Sequence, residues 1–124
     1  MREAFIACKK LKIESRCTGM IGNAGETPKT IMKTVKYIRS LIGVKYSPLS
    51  IAIPYPGTEL YEFAEKGLHG LRLLTKDFTM YSRYEGGVME VNGMMPRDLI
   101  KLQRKAIFLI HLTPEKIYGV IRTF

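Results

Sequence analysis

Residues 18–27 read Thr18-Gly19-Met20-Ile21-Gly22-Asn23-Ala24-Gly25-Glu26-Thr27, and Pro28 follows. An apolar run closed by two glycines, then a threonine and a proline, is the pattern of a strand that turns directly into a helix. Thr27 offers a side-chain oxygen to the first helical N–H groups. Pro28 falls at the first helical position, where its missing N–H costs nothing. The strand is expected over residues 13–21 and the helix from 28 to about 42. Ile31, Val35, Ile38 and Ile42 form the apolar stripe of that helix, and Lys29, Lys33, Lys36 and Arg39 take its other sides. Gly43 is the expected stop. Ahead of the strand, residues 2–11 read as a helix with Phe5, Cys8 and Leu11 on one face and Lys9, Lys10 and Lys12 at its C-terminal end.

Downstream the pattern repeats. Residues 49–53 are a short buried strand that ends at Pro54-Tyr55-Pro56-Gly57, which no central strand can contain. Thr58 caps a third helix reaching Lys66, and Gly67 ends it. Residues 68–94 are less regular: residues 71–74 and 78–81 read as short strands or turns, while Gly86-Gly87 and Asn92-Gly93 mark connections. A fourth helix is expected from Met95 or Pro96 to about Leu112, with Leu99, Leu102, Ala106 and Leu109 inward, and Thr113-Pro114 opens a last helix. The order is helix, strand, helix, strand, helix, an irregular segment, then two helices. Such alternation means an α/β fold of parallel strands joined by right-handed crossovers. Two strands alone leave open edges, so the pattern reads as part of a larger sheet. Three divisions follow: residues 1–67 as two β–α units, 68–94 as a connecting segment, and 95–124 as a helical extension.

The chain has 124 residues, 46% of them hydrophobic and 25% charged. These are globular values, which exclude a disordered or collagenous chain. No run of about 18 apolar residues exists, which excludes a helical membrane span, and the N-terminal pattern lacks a secretory signal. The expected location is therefore cytoplasmic. Cys8 and Cys17 are too few for a disulfide scaffold and, with only His69 and His111 beside them, poor material for a metal site. The net charge of +9 is uneven. Residues 1–50 hold 10 Lys/Arg against 3 Asp/Glu, residues 51–94 hold 4 against 6, and residues 95–124 hold 6 against 2. Basic ends permit binding of nucleic acid or another polyanion without demanding it. No aromatic-basic or helix-turn-helix motif supports that partner. His111 reads as a C-terminal cation or a hydrogen-bonded rim residue, the seven methionines as core filling, and Tyr81 and Tyr84 around Arg83 as a loop packed over the fold or a stacking site.

Two segments carry a resemblance. Residues 18–27 resemble the "FMIGLPGET" strand and loop of radical S-adenosylmethionine (SAM) enzymes. Ser50-Ile51-Ala52-Ile53-Pro54-Tyr55-Pro56-Gly57-Thr58-Glu59-Leu60-Tyr61 resembles the strand that follows it there, "xATPYPGTxLY", at matching separation. Residues 77–81 are similar to "DWxxYTM", and residues 99–106 to a closing "LxxLQKKAYRRFYLRP" helix. The nearest subgroup has an upstream cobalamin-binding domain and includes enzymes of the anaerobic Mg-protoporphyrin monomethyl ester cyclase type. Asn23-Ala24 departs from the usual Leu-Pro between the glycines.

The resemblance implies the last two β–α units of a partial (β/α)6 barrel of TIM type plus C-terminal helices. It implies SAM and a 4Fe-4S cluster in a longer parent enzyme, with cobalamin as a further cofactor. A CxxxCxxC motif binds the cluster in that family, and this chain has none; none of these cofactors is expected to bind the chain independently. The chain is expected to be inactive by itself. By the resemblance, Met20, Ile21 and Gly22 line the SAM adenine, and Glu26 helps hold their turn together with Gly25. Glycines at that strand end let backbone approach a flat ligand without Cβ interference. Tyr55 and Thr58, at the mouth of the next strand, are substrate-side candidates. The expected partner is the remainder of the barrel or a second copy of the chain. Two other functions stay open: a small basic binding module for nucleic acid or another polyanion, and a protein-interaction remnant.

Overall fold

A computed structural model describes residues 1–82 and 87–114. The chain begins with helix α1 (Arg2–Lys10), no residue of which is buried. Strands β1 (Ser15–Arg16) and β2 (Gly19–Ile21) follow, then α2 (Pro28–Arg39), β3 (Val44–Tyr46), β4 (Leu49–Ile51) and α3 (Glu59–Lys66). β5 (Leu71–Leu73) and β6 (Met89–Val91) come next, with a 3-10 turn at Phe78–Met80 between them, and α4 (Pro96–His111) closes the described order. The expected last helix and Tyr84 with Arg83 lie outside the described residues.

The sheet is parallel, as the alternation requires. β1 pairs with β3 and β2 with β4, in register Gly19↔Leu49, Met20↔Ser50 and Ile21↔Ile51. The expected single strand over 13–21 is instead two pieces. The β1–β3 register shifts between Ser15 and Arg16; Cys17 then donates to the Tyr46 carbonyl at 3.2 Å and Gly19 to the Pro48 carbonyl at 3.0 Å, and the assigned strands are interrupted at Cys17-Thr18. The second strand likewise ends at Ile51 rather than 53. β5 and β6 form an antiparallel hairpin inside the segment expected to be irregular. Among the described residues the sheets are short and open, and no closed barrel forms.

Local chemistry explains the helices. Thr27 accepts from the Thr30 N–H while Thr30 Oγ1 accepts from the Thr27 N–H, and this reciprocal cap fixes the start of α2. The helix stops at Arg39, three residues short of Ile42. Ser40 turns its hydroxyl back onto the Tyr37 carbonyl, so Ile42 is exposed and Gly43 belongs to the turn into β3. α3 is capped by Thr58 and ended by Gly67 in the left-handed region, as expected. Asp98 reaches back to the Met95 N–H at 3.0 Å and starts α4.

The core lies between α2, α4 and the strands. Ile21, Ile31, Val35, Ile51, Leu71, Val91, Leu99, Ala106 and Ile110 are all at most 3% exposed. The inner stripe of α4 is Leu99, Gln103, Ala106 and Ile110, with Leu102 and Leu109 only half-buried. Gln103 is the buried polar member. Pro48 and Ala52 bond toward β2, so by strand alternation the Leu49 carbonyl points to the opposite edge of β4. The Gln103 Nε2 donates to that carbonyl at 2.7 Å. The outer edge of β2 has no strand beside it among the described residues.

Candidate functional site

Because β2 and β4 are parallel and in register, the loops after Ile21 and Ile51 leave the sheet at the same end. The first loop is held by one carboxylate. Glu26 Oε2 accepts the Gly22 N–H at 2.6 Å and the Asn23 N–H at 3.0 Å. Gly22 has φ +84°, a backbone conformation that disfavours L side chains. Its absent Cβ would lie in ordinary contact with Ile51 and Leu99, at 3.6 and 3.7 Å, so it is the turn's positive φ that favours glycine here. Open space lies elsewhere: the Met20 side chain is 52% exposed, and a Cβ at Gly25 would meet nothing within 4 Å. Ile21 is fully buried beneath them.

The loop is also tied to the hairpin. Gly25 donates to the His69 carbonyl at 3.0 Å, and Asn92 Nδ2 donates to the Glu26 carbonyl at 2.7 Å. The Asn92 N–H bonds the Gly70 carbonyl at 2.6 Å. A Cβ on Gly70 would overlap the Asn92 carboxamide oxygen, so only glycine fits there. Sequence reasoning missed His69, Gly70 and Asn92. The signal present was Asn92-Gly93, a pair suited to positive φ, and both residues adopt it, at 46° and 79°.

The second loop builds a different surface. Thr58 donates to the Tyr55 carbonyl at 2.6 Å and accepts the Tyr61 N–H at 3.3 Å, so its hydroxyl is engaged in the turn and the cap of α3. Tyr55 is 52% exposed. Its ring lies 6.0 Å from that of Tyr81, which lies 5.2 Å from Phe78. Tyr81 donates to the Thr75 carbonyl, and burial pushes its phenol above the usual range. The 3-10 turn beneath is fixed by Asp77, whose carboxylate accepts from Thr79 N and Oγ1; those bonds hold it below the ordinary carboxylate range. The result is an aromatic row beside the first loop, with Tyr55 in it and Thr58 supporting it.

No group of three or more His, Cys, Asp or Glu side chains converges as a metal site among the described residues, and Cys8 and Cys17 are both free thiols. A cluster held by three thiolates does not fit this donor set. His111 sits at the other end of the sheet. Its Nδ1 lies 2.8 Å from the Ile107 carbonyl and its Nε2 accepts the Ser47 N–H at 3.4 Å, which fixes the Nδ1–H tautomer of a hydrogen-bonded rim residue. With Tyr46, Ile107, Phe108 and Leu112 it lines an open groove of about 360 Å³. No helix among the described residues is long and apolar enough to cross a membrane.

The hold of Glu26 on the loop has a measurable size. Glu26→Ala removes the acceptor for two backbone N–H groups and is expected to destabilise the chain by about 2 kcal/mol. Glu26→Gln keeps an acceptor oxygen and should recover at least half of that in urea melts. Equal loss in both variants would mean that the charge, not the acceptor, holds the turn.

The chain is 30% identical over 113 residues, 91% of its length, to an uncharacterized methyltransferase of Pyrococcus horikoshii. The match spans 24% of that protein. No family model matches the chain, and no solved structure matches it.

Proposed function

We propose that this chain is a portion of a larger SAM-dependent enzyme of the radical SAM type, the last two β–α units of a partial barrel with its C-terminal extension. In this reading Met20, Ile21, Gly22, Gly25 and Glu26 form one side of the adenine pocket, and Tyr55 with Thr58 forms part of the substrate wall. One observation carries it: the Met-Ile-Gly loop and the Pro-Tyr-Pro-Gly-Thr turn emerge side by side from paired parallel strands. A methyltransferase relative is in keeping with SAM as the co-substrate.

The residues fit such a pocket in a specific way. The exposed Met20 side chain offers an apolar, polarizable surface to an adenine face. Gly19 and Ile21 bond toward β4, so by alternation the main-chain groups of Met20 face the open edge, where a neighbouring strand would pair with them, and the side chain is what meets the adenine. Glu26 keeps the loop in place beside them. SAM bound there would supply a methyl group or an adenosyl fragment to the reaction. The 4Fe-4S cluster of this reading is held by cysteines outside the chain, and cobalamin by a separate domain. The open edge of β2 is where the rest of the barrel joins.

The test uses the full-length protein that contains this segment. Met20→Asp places a carboxylate on the adenine face at a position 52% exposed in this structure, with folding of the variant checked by circular dichroism. The SAM dissociation constant is expected to rise about tenfold, equivalent to about 1.4 kcal/mol. Lys66→Ala, on the far helix α3, should leave it within about twofold. Equal affinity in the two variants would remove the adenine assignment, and a full-length sequence without CxxxCxxC would remove the radical mechanism.

A further inference from the structure

The two helices that cover the core carry a charge pattern that neither a SAM pocket nor a barrel wall requires. α2 turns Ile31, Val35 and Ile38 inward, and α4 turns Leu99, Gln103, Ala106 and Ile110 inward. At 3.6 residues per turn, the positions opposite those faces are 29, 33, 36 and 40 on α2 and 97, 101, 104 and 108 on α4. They are occupied by Lys29, Lys33, Lys36 and Ser40, and by Arg97, Lys101, Arg104 and Phe108, all exposed. The spacing within the two rows is identical.

The rows also lie side by side. α2 packs against α4, and Arg39 Nη2 at the end of α2 donates to the Leu112 carbonyl just past the end of α4, so the helices run in the same direction. Helices in contact sit about 8–10 Å apart, and cations three or four residues apart along a row are separated by about 4.5–6 Å. α2 contains no acidic residue. The acidic residue of α4, Asp98, is turned onto the Met95 N–H. Among the described residues the ion pairs join Lys45 to Glu14, Lys66 to Glu62, Arg72 to Glu90 and Lys76 to Glu65, none of them on these two helices.

We propose that this outward face of α2 and α4 binds single-stranded nucleic acid, with its phosphates along the rows Lys29, Lys33, Lys36 and Arg97, Lys101, Arg104 and a base stacked on Phe108. Six cations in two rows, none of them ion-paired among the described residues, match a continuous chain of charges. Phe108, 61% exposed at the end of its row, supplies an aromatic face, whereas Tyr37 on the neighbouring helix is engaged by the Arg2 guanidinium 5.4 Å from its ring centroid. Phe108 adjoins the groove it shares with Tyr46, Ile107, His111 and Leu112, a small apolar patch at the end of the cation rows rather than the broad apolar face that insertion into lipid takes. The face is independent of the loops at the strand ends.

The probe is a fluorescein-labelled oligouridylate of about 12 nucleotides, followed by anisotropy across a salt series. Six phosphate contacts on a single strand predict a slope of log K against log salt of about −4. Lys29→Gln/Lys33→Gln/Lys36→Gln should reduce it to about −2. Lys10→Gln/Lys12→Gln/Arg16→Gln, with the same loss of charge elsewhere, should leave it near −4 within about 0.5. Phe108→Ala should weaken oligouridylate binding about tenfold and heparin binding less than twofold, at about constant slope. The proposal is overturned by no binding at low salt, by equal slopes in the two triple variants, by a Phe108→Ala effect shared with heparin or absent from both, or by tighter binding to phosphatidylserine-containing vesicles than to the oligonucleotide.

Discussion

Leu99→Ala is expected to lower the unfolding free energy by about 2–5 kcal/mol, the range for emptying a fully buried leucine site. Leu99 is 1% exposed in the first turn of α4, and its Cδ1 lies against the Gly22 turn. It also belongs to the core shared by Ile21, Ile31 and Ile51. The rigid turn above cannot collapse into the space, because Glu26 and the Asn92 bond fix it from two sides. The loss should therefore fall in the upper half of the range, comparable to the whole stability of a small domain. Urea melts on the wild type and the variant give the difference directly. A loss below about 1 kcal/mol would mean that α4 does not hold the loop from beneath.

Self-association at micromolar concentration is the second large effect expected. The outer edge of β2 presents ladder groups with no strand beside them among the described residues. Ile6, Leu11, Ile13, Met20 and Ile42 are between 37% and 71% exposed around α1, the turn after it, β2 and the end of α2. Covering about 200 Å² of that apolar surface is worth about 5 kcal/mol at 25 cal/mol per Å². Sedimentation velocity should show a concentration-dependent mass and thermal melts should rise with concentration. A compact monomer with a concentration-independent melt would show that the open edge is self-sufficient.

The α/β character and most helices were legible because caps are local chemistry. Thr27-Pro28, Thr58 and Gly67 act within four residues of where they stand. The errors arose where a local pattern met a distant partner. The apolar period ran on to Ile42, but Ser40 closed the helix first. β6 is three residues set between Gly86-Gly87 and Asn92-Gly93, and it exists through its pairing with Leu71–Leu73. Gln103 stands where periodicity expects an apolar residue, and its justification is a carbonyl 54 positions away. At the candidate site, Glu26 was implied by a resemblance, while its link to Asn92 spans 66 residues and leaves no trace in spacing. Gly22 has a second role that spacing does not show: its positive φ is what lets the chain turn above Ile51 and Leu99.

The Gln103 bond to the Leu49 carbonyl also sets the stoichiometry of any assembly. With α4 lying along β4 and one of its edge carbonyls already taken, lateral growth of the sheet is blocked on that side. For the β2–β4 pair only the β2 side remains among the described residues, and one available edge on that pair cannot propagate a fibre. Two copies meeting there must use the same surface on both, related by a twofold axis that runs β2 antiparallel to its counterpart. Such an isologous contact consumes both open edges at once. The assembly is then a closed dimer of one continuous four-stranded layer, and its mass should plateau at twice that of the chain however concentrated the solution.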